Sequence, residues 1–379
     1  MGVTFPRKAA CMLKRQMLSL LPVLLLAACA PAQMGRTGAA NSDVLFTFST
    51  VGDSREDPTT EGLSAQNKLW LQNTRAWSRI MNEANAQGAE ALFFNGDMIM
   101  GYTTDRVTLD RQYAFWRGMA ATLMERGTYV MPVAGNHEVQ EKGTDAAGKG
   151  IKLARVGNEE AWRANMGDLI MDAGRWKTLT GLDASAFDPA NTPVAGGADK
   201  VSTDQAQLTY SFDAGGSHFA VINTDAVGWD SHAPAAWLAR DLAAAKARGA
   251  AHIFVFGHKP AYTYKYNDKV PAGGIDTDPE NQQAFWNTIE TYNATYFSGH
   301  EHIYHADQPT RAQGGKAWQV IVGSGGSPFE AKPGDSQNPQ DRMYAWVTVQ
   351  VMKSGQVHVD AYGFNDQYGP TQKLASWNL

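Results

Sequence analysis

Cysteine is nearly absent. The 379 residues contain two, Cys11 and Cys29, both close to the start, so no disulfide can cross-link the remainder and thiolate chemistry is excluded there. An excess of basic charge is also missing. With 33 Lys and Arg against 38 Asp and Glu the net charge is -5, which offers no field for a polyanion and argues against extended nucleic acid as a partner. Long apolar runs are scarce as well: the run over residues 18–26 is too short to span a bilayer comfortably, and no later stretch could span one. No internal repeat is visible. What is present, 43% hydrophobic and 19% charged residues, suits a soluble globular protein with one large core or two modest ones.

The short apolar run has a context of its own. Lys14 and Arg15 precede it, Pro22 interrupts it and Pro31 follows, a pattern that fits a secretory signal better than an uncleaved anchor helix. It ends in Leu26-Ala27-Ala28-Cys29, which resembles the lipobox of bacterial lipoproteins, where cleavage leaves the cysteine N-terminal and lipid-linked. The expected organisation is a signal peptide over 1–28, a flexible tether over 29–43 with Gly35, Gly38 and Asn41, and a catalytic domain over 44–379. The expected location is the cell envelope of a bacterium, on the periplasmic or cell-surface side, with the membrane contacted through lipid at Cys29.

Short apolar, β-rich runs at 44–51, 91–94 and 129–133 alternate with helical spacing over 65–86 and 109–126. Periodicity weakens over about 139–205, which reads as an insertion with a helix near Trp162. Strand signals return at 208–212 and 218–223, joined by Gly215-Gly216 as a hairpin, then at 252–256, 294–297, 318–322, 345–351 and 357–362, with helices near 234–248 and 280–292. A β-α-β half followed by a more antiparallel half predicts an α/β (α+β) fold, a two-sheet β-sandwich flanked by helices.

Chemistry-bearing residues cluster where strands end. Gly52-Asp53-Ser54-Arg55, Asn95-Gly96-Asp97 and Gly135-Asn136-His137-Glu138 follow the first three strands, and Gly257-His258-Lys259-Pro260 and Gly299-His300-Glu301-His302 follow two later ones. Loops at the carboxyl ends of parallel strands converge on one edge of a sheet, where ligands bind. Each motif alone is weak, since Gly-Asp is common in turns and a lone histidine is often packed. The same strand, glycine and ligand order occurring five times is not a chance pattern. Oxygen and imidazole donors without thiolate suit Mn, Fe or Zn.

This order resembles the calcineurin-like metallophosphoesterase superfamily, which includes purple acid phosphatases, and the resemblance spans most of the chain. Residues 221–225 before the Trp237-Leu238 helix, and Gly323-Ser324-Gly325-Gly326, add to it. The resemblance implies two divalent or trivalent metal ions, with Asp97 as bridging carboxylate, Asp53 and His302 on one ion, and Asn136, His258 and His300 on the other. A bridging carboxylate lets two cations approach to about 3.5 to 4 Å and hold a hydroxide nucleophile. His137 would face the leaving group as general acid, or serve in supporting hydrogen bonding.

The sequence also departs from the family. Most members place a metal-binding histidine two residues after the first aspartate, where this chain has Arg55. Purple acid phosphatases use a tyrosine three residues after the bridging aspartate, where this chain has Met100; Tyr102, two residues further, is either a metal ligand on a bulged loop or an aromatic lid. The Asp-Arg pair of protein-phosphatase relatives is replaced by Met100-Gly101. Arg55 is then either a phosphate clamp or a salt-bridge partner of Glu56 or Asp57. His305 could contact the centre or substrate, and Tyr262, Tyr264, Lys265 and Tyr266 form a rim loop suited to an organic leaving group.

The expected function is metal-dependent phosphoester hydrolysis by direct attack on phosphorus, with a phosphorylated small molecule as partner, monoesters first and diesters as the alternative. A non-catalytic metal-binding surface lipoprotein is the competing class.

Overall fold

The structure, a computed structural model, describes residues 1–2 and 43–379. The signal-like run, Cys29 and the tether lie outside the described residues.

In chain order the elements are β1 (Val44–Val51), α1 (Ala65–Trp70), α2 (Thr74–Ala86), β2 (Ala91–Phe94), α3 (Arg106–Met124), β3 (Tyr129–Pro132), α4 (Asn136–Val139), β4 (Gln140–Thr144), β5 (Gly150–Ala154), α5 (Val156–Met166), α6 (Ala173–Thr180), β6 (Ala184–Ser185), β7 (Tyr210–Ala214), β8 (Ser217–Val221), α7 (Ala235–Ala247), β9 (His252–Phe256), α8 (Pro279–Thr291), β10 (Thr295–Ser298), β11 (Tyr304–Asp307), β12 (Trp318–Val322), β13 (Met343–Met352), β14 (Val357–Asn365) and β15 (Gln372–Asn378). One sheet runs β15-β14-β13-β1-β2-β3 and the other β11-β12-β10-β9-β8-β7-β6.

Alternation along the strands builds the layers. Phe46, Phe48 and Phe93 of the first sheet meet Phe219, Phe254, Phe256 and Phe297 of the second in the middle of the sandwich. Phe93 and Phe256 stack at 3.9 Å between ring centroids. The opposite faces carry Leu92, Phe94 and Trp346 under α2, α3 and α5, and Ile253, Val255 and Tyr296 under α7 and α8. Period-two strands buried on both faces read as continuous apolar runs, because each face has its own cover. The result is the expected two-sheet sandwich flanked by helices.

Several details differ from the sequence reading. The more antiparallel second half encloses a parallel block: β8, β9, β10 and β12 run parallel between antiparallel neighbours β7 and β11, while the antiparallel strands β13 and β14 return to the first sheet beside β1. Apolar runs carry no direction, so only the crossover helices α7 and α8 reveal it. The helix expected over 65–86 breaks into α1 and α2, because Leu71 takes a left-handed conformation and the Asn73 side chain caps α2 by accepting from the Ala76 amide. The region at 139–205 holds the β4–β5 hairpin, α5 and α6. Among the described residues no helix is long and apolar enough to cross a membrane.

Candidate metal centre

The loops after β1, β2 and β3 and those after β9 and β10 meet and are stitched together through their main chains. The Asp53 amide donates to the Gly96 carbonyl at 2.9 Å and the Gly299 amide to the His258 carbonyl at 2.9 Å. Convergence is tight enough to require glycine. A side chain at Gly135 would put a carbon 2.5 Å from Asp97 Oδ1, and one at Gly299 would put it 2.3 Å from Asp53 Oδ2. This is the physical origin of the glycine that precedes each donor. Asp53, Asp97 and His300 themselves hold φ near 60°, 54° and 70°, a left-handed conformation uncommon for residues with side chains and concentrated at functional sites.

Asp53, Asp97, Asn136, His258, His300 and His302 are all brought together. Asn136 Oδ1 lies 2.8 Å from His258 Nε2 and 2.9 Å from His300 Nδ1, and His258 Nε2 lies 3.1 Å from Asp97 Oδ1. His258 Nδ1 donates to the Asn95 carbonyl at 2.7 Å, which leaves Nε2 with a bare lone pair, and Asn136 Nδ2 donates to the Tyr102 hydroxyl, which turns Oδ1 inward. Lone pairs facing each other at this range repel, and a cation between them converts repulsion into coordination. This donor group fits a metal ion.

A second group consists of Asp53, Asp97 and His302, whose donor atoms all lie within 4.8 Å of one another. Asp53 is fully buried. Its Oδ2 accepts from the His300 amide at 2.9 Å, but its Oδ1 has no hydrogen-bond partner among the described residues, as expected of an oxygen that serves a cation. His302 Nδ1 donates to the Pro328 carbonyl at 2.6 Å, which directs Nε2 into the centre. The missing histidine has no imidazole substitute here. Instead Arg55 donates from Nε to Asp97 Oδ2 at 3.3 Å and from Nη2 to His302 Nε2 at 3.2 Å, pairing with neither Glu56 nor Asp57 through its guanidinium.

Electrostatics follow from burial. Burial and then the neighbouring Asp97 push the Asp53 carboxyl well above the carboxylate range. Asp97 is buried too, but the fields of His137, His258 and Arg55 overcome that and hold it far below. Burial, reinforced by Arg55, lowers His302 to about 3, and burial also lowers His258 and His300, so the imidazoles present lone pairs rather than protons.

His137 stands beside the centre rather than in it. Nδ1 donates to the Met100 carbonyl at 2.5 Å, and Nε2 faces Asp97 Oδ2 at 3.6 Å. A main-chain carbonyl therefore does the orienting for which the sequence lacks an aspartate. Tyr102 lies against His137, ring centroids 3.7 Å apart, with its hydroxyl on the Asn136 amide; it aims a donor. Sequence reasoning assigned no part to Glu138, yet its buried carboxylate accepts from the amides of Gly135, Asp97 and Met98 at 2.8 Å and of Ile99 at 3.1 Å, locking two site loops together. Its place within the Gly-Asn-His-Glu motif was the available signal. Lys259 is a second such residue, paired with Asp225 at 2.9 Å and Asp230 at 3.2 Å.

The rim residues divide. Tyr262 packs edge-on against Trp286. Tyr264 and Tyr266, with Val270 and Pro271, line a cavity of about 130 Å³ that reaches His300 and Glu301, and His305 stacks on Tyr264 at 3.9 Å instead of joining the metal donors.

A family model for the calcineurin-like phosphoesterases matches residues 65–304. No curated protein matches the chain. Among solved structures, a purple acid phosphatase isolated from yellow lupin (Lupinus luteus) seeds superposes with a TM-score of 0.51 at 14% identity over 88% of this chain and 53% of that one. The chain thus spans about half the length of the lupin protein, and the likeness establishes the fold. PhoD gives 0.48 at 13% identity, covering 89% of this chain and 73% of the other, and a dimetal phosphatase from Danio rerio gives 0.44 at 13% identity, covering 88% and 99%.

Proposed function

From the premise that this chain belongs to the calcineurin-like phosphoesterase family, we propose that it hydrolyses phosphoesters at a dimetal centre and that its substrates are phosphomonoesters of small molecules. The observation that carries the hydrolytic reading is the convergence of Asp97 Oδ1, Asn136 Oδ1, His258 Nε2 and His300 Nδ1 within 2.8–3.2 Å contacts, beside the unpartnered Asp53 Oδ1. When bound, the metal ions supply an acidified water as nucleophile and neutralise the phosphoryl oxygens.

The chain's own residues do the rest. Asp97 divides its two carboxylate oxygens, Oδ1 toward His258 and Oδ2 toward Arg55 and His137. Asp53, His258 and His302 contribute fixed donors whose outer atoms are already bonded to main chain, and His300 brings Nδ1 beside Asn136 Oδ1. His137, its Nδ1 held on the Met100 carbonyl and its ring kept neutral by burial, first takes up a proton at Nε2 and then passes it to the departing oxygen. Preference for monoesters is supported by the small cavity lined by Tyr264 and Tyr266, which suits one modest organic group beside the phosphoryl; a diester carries a second. The test is to strip the full chain with chelator and assay mono- and diesters after adding Mn, Zn or Fe. Hydrolysis should vanish and return, with monoesters the faster. Recovery with no metal among these sinks the hydrolytic reading, and faster diester turnover sinks the preference.

We also propose export and lipid attachment at Cys29, supported by the Leu26-Ala27-Ala28-Cys29 sequence after a short apolar run. Cys29→Ser should shift the protein from the membrane fraction to the soluble one. Equal membrane retention of parent and variant would refute the anchor.

A further inference from the structure

Arg55 occupies a position that the chemistry of the centre makes consequential. The two acceptors of its guanidinium, Asp97 Oδ2 and His302 Nε2, belong to the donor group of Asp53, Asp97 and His302. The third donor, Asp53 Oδ1, is buried and without a hydrogen-bond partner among the described residues. His302 cannot turn its other nitrogen inward, because Nδ1 is bonded to the Pro328 carbonyl. Arg55 is itself pinned: its carbonyl accepts from the Ser327 hydroxyl at 2.8 Å and its amide donates to the Asp97 carbonyl at 3.4 Å. With the residue 9% exposed, the guanidinium is a buried cation. It satisfies the lone pairs that an ion would satisfy, and it supplies positive charge where an ion would bring it.

We propose that Arg55 is a resident counter-cation of this donor group: one metal ion binds tightly at Asp97, Asn136, His258 and His300, and a second binds at Asp53, Asp97 and His302 only by displacing the guanidinium. This rests on the reading of the site as a dimetal phosphoesterase centre. The donor sets differ accordingly. Around Asn136 and His258, lone pairs face one another, and among the described residues no Lys or Arg is hydrogen-bonded to Asn136, His258 or His300; around His302, an ion has to break two charge-assisted hydrogen bonds and tolerate a like charge nearby.

The proposal is read by metal binding, independently of turnover. Calorimetric titration of the chelator-stripped full chain with Mn²⁺ should resolve one tight ion and a second weaker by on the order of 10²-fold, the scale of disturbing groups bonded to metal ligands. Arg55→Ala should strengthen the second phase and leave the first in place. Arg55→His, which restores an imidazole two residues after Asp53, should give two ions of comparable affinity and the spin-coupled Mn²⁺ resonance signal of an adjacent pair. Two ions of affinity within tenfold in the parent overturn the proposal, as does an unchanged second phase in folded variants. Should the variants fail to fold, the parent's titration decides alone. If the titrations behave as expected but no loaded form hydrolyses a phosphoester, the functional reading fails and the counter-cation assignment stands.

Discussion

Replacing His137 with alanine is expected to lower kcat by about 10²- to 10⁴-fold, the range for loss of a positioned proton donor, while the protein keeps its metal. Metal retention follows from the geometry. His137 contributes no side-chain atom to either donor group, and the hydrogen bond from its amide to Asp97 Oδ1 at 3.1 Å survives truncation. What is lost is an imidazole whose Nδ1 is fixed on the Met100 carbonyl and whose Nε2 faces the centre. The role is distinguishable from packing against Tyr102. An ester whose leaving group departs without a proton, such as an activated aryl phosphate, should suffer far less from the substitution than an alkyl phosphate. An equal loss on both substrates would show that His137 does not protonate the leaving group, and loss of metal would place it among the ligands.

The second large effect is on stability. Glu138→Ala should destabilise the metal-free fold by roughly 4 kcal/mol or more, since each buried amide left unpaired costs about 1–3 kcal/mol. Four amides depend on this carboxylate, those of Gly135, Asp97, Met98 and Ile99, and the residue is fully buried, so water cannot enter without loosening the loops. Burial and the charge of Asp97 push the Glu138 carboxyl up to about 8, and the amides pull against them. Glutamine is a poor substitute: it keeps one acceptor oxygen but turns an NH₂ group toward amides that also donate. Urea unfolding of parent and variant, both stripped of metal so that ion binding does not contribute, measures the difference. A cost below about 1 kcal/mol would mean that the loops of Asp97 and Asn136 are held by something else.

The two residues illustrate different degrees of legibility. His137 was singled out because the family resemblance places it next to Asn136 in the Gly-Asn-His-Glu motif, and the structure sets it beside the donors. Glu138 lies in the same motif, but nothing local says that its carboxylate reaches back across 41 positions to the Asp97 amide. Tyr102 is similar. The sequence left it as ligand or lid, and its actual task, holding the Asn136 amide, depends on a left-handed backbone at Tyr102 itself. The Met100 carbonyl has no side-chain signature, so the orienting partner of His137 could not be found by searching for an aspartate.

By itself the sequence determined the inventory and the sandwich class: short strands buried on both faces, glycines followed by oxygen and imidazole donors, and the want of thiolates. These are local properties, set by side-chain volume, backbone freedom at glycine and ligand chemistry. Strand direction in the second sheet, the return of β13 beside β1, and above all the partner of Arg55 were decided only by the tertiary structure. The guanidinium meets Asp97 from 42 positions away and His302 from 247. The family resemblance can show that a cation stands where most members have a histidine in the first loop, but which lone pairs that cation satisfies is settled by where five loops converge. The pairing is a property of distance in space, which the chain's order does not encode residue by residue.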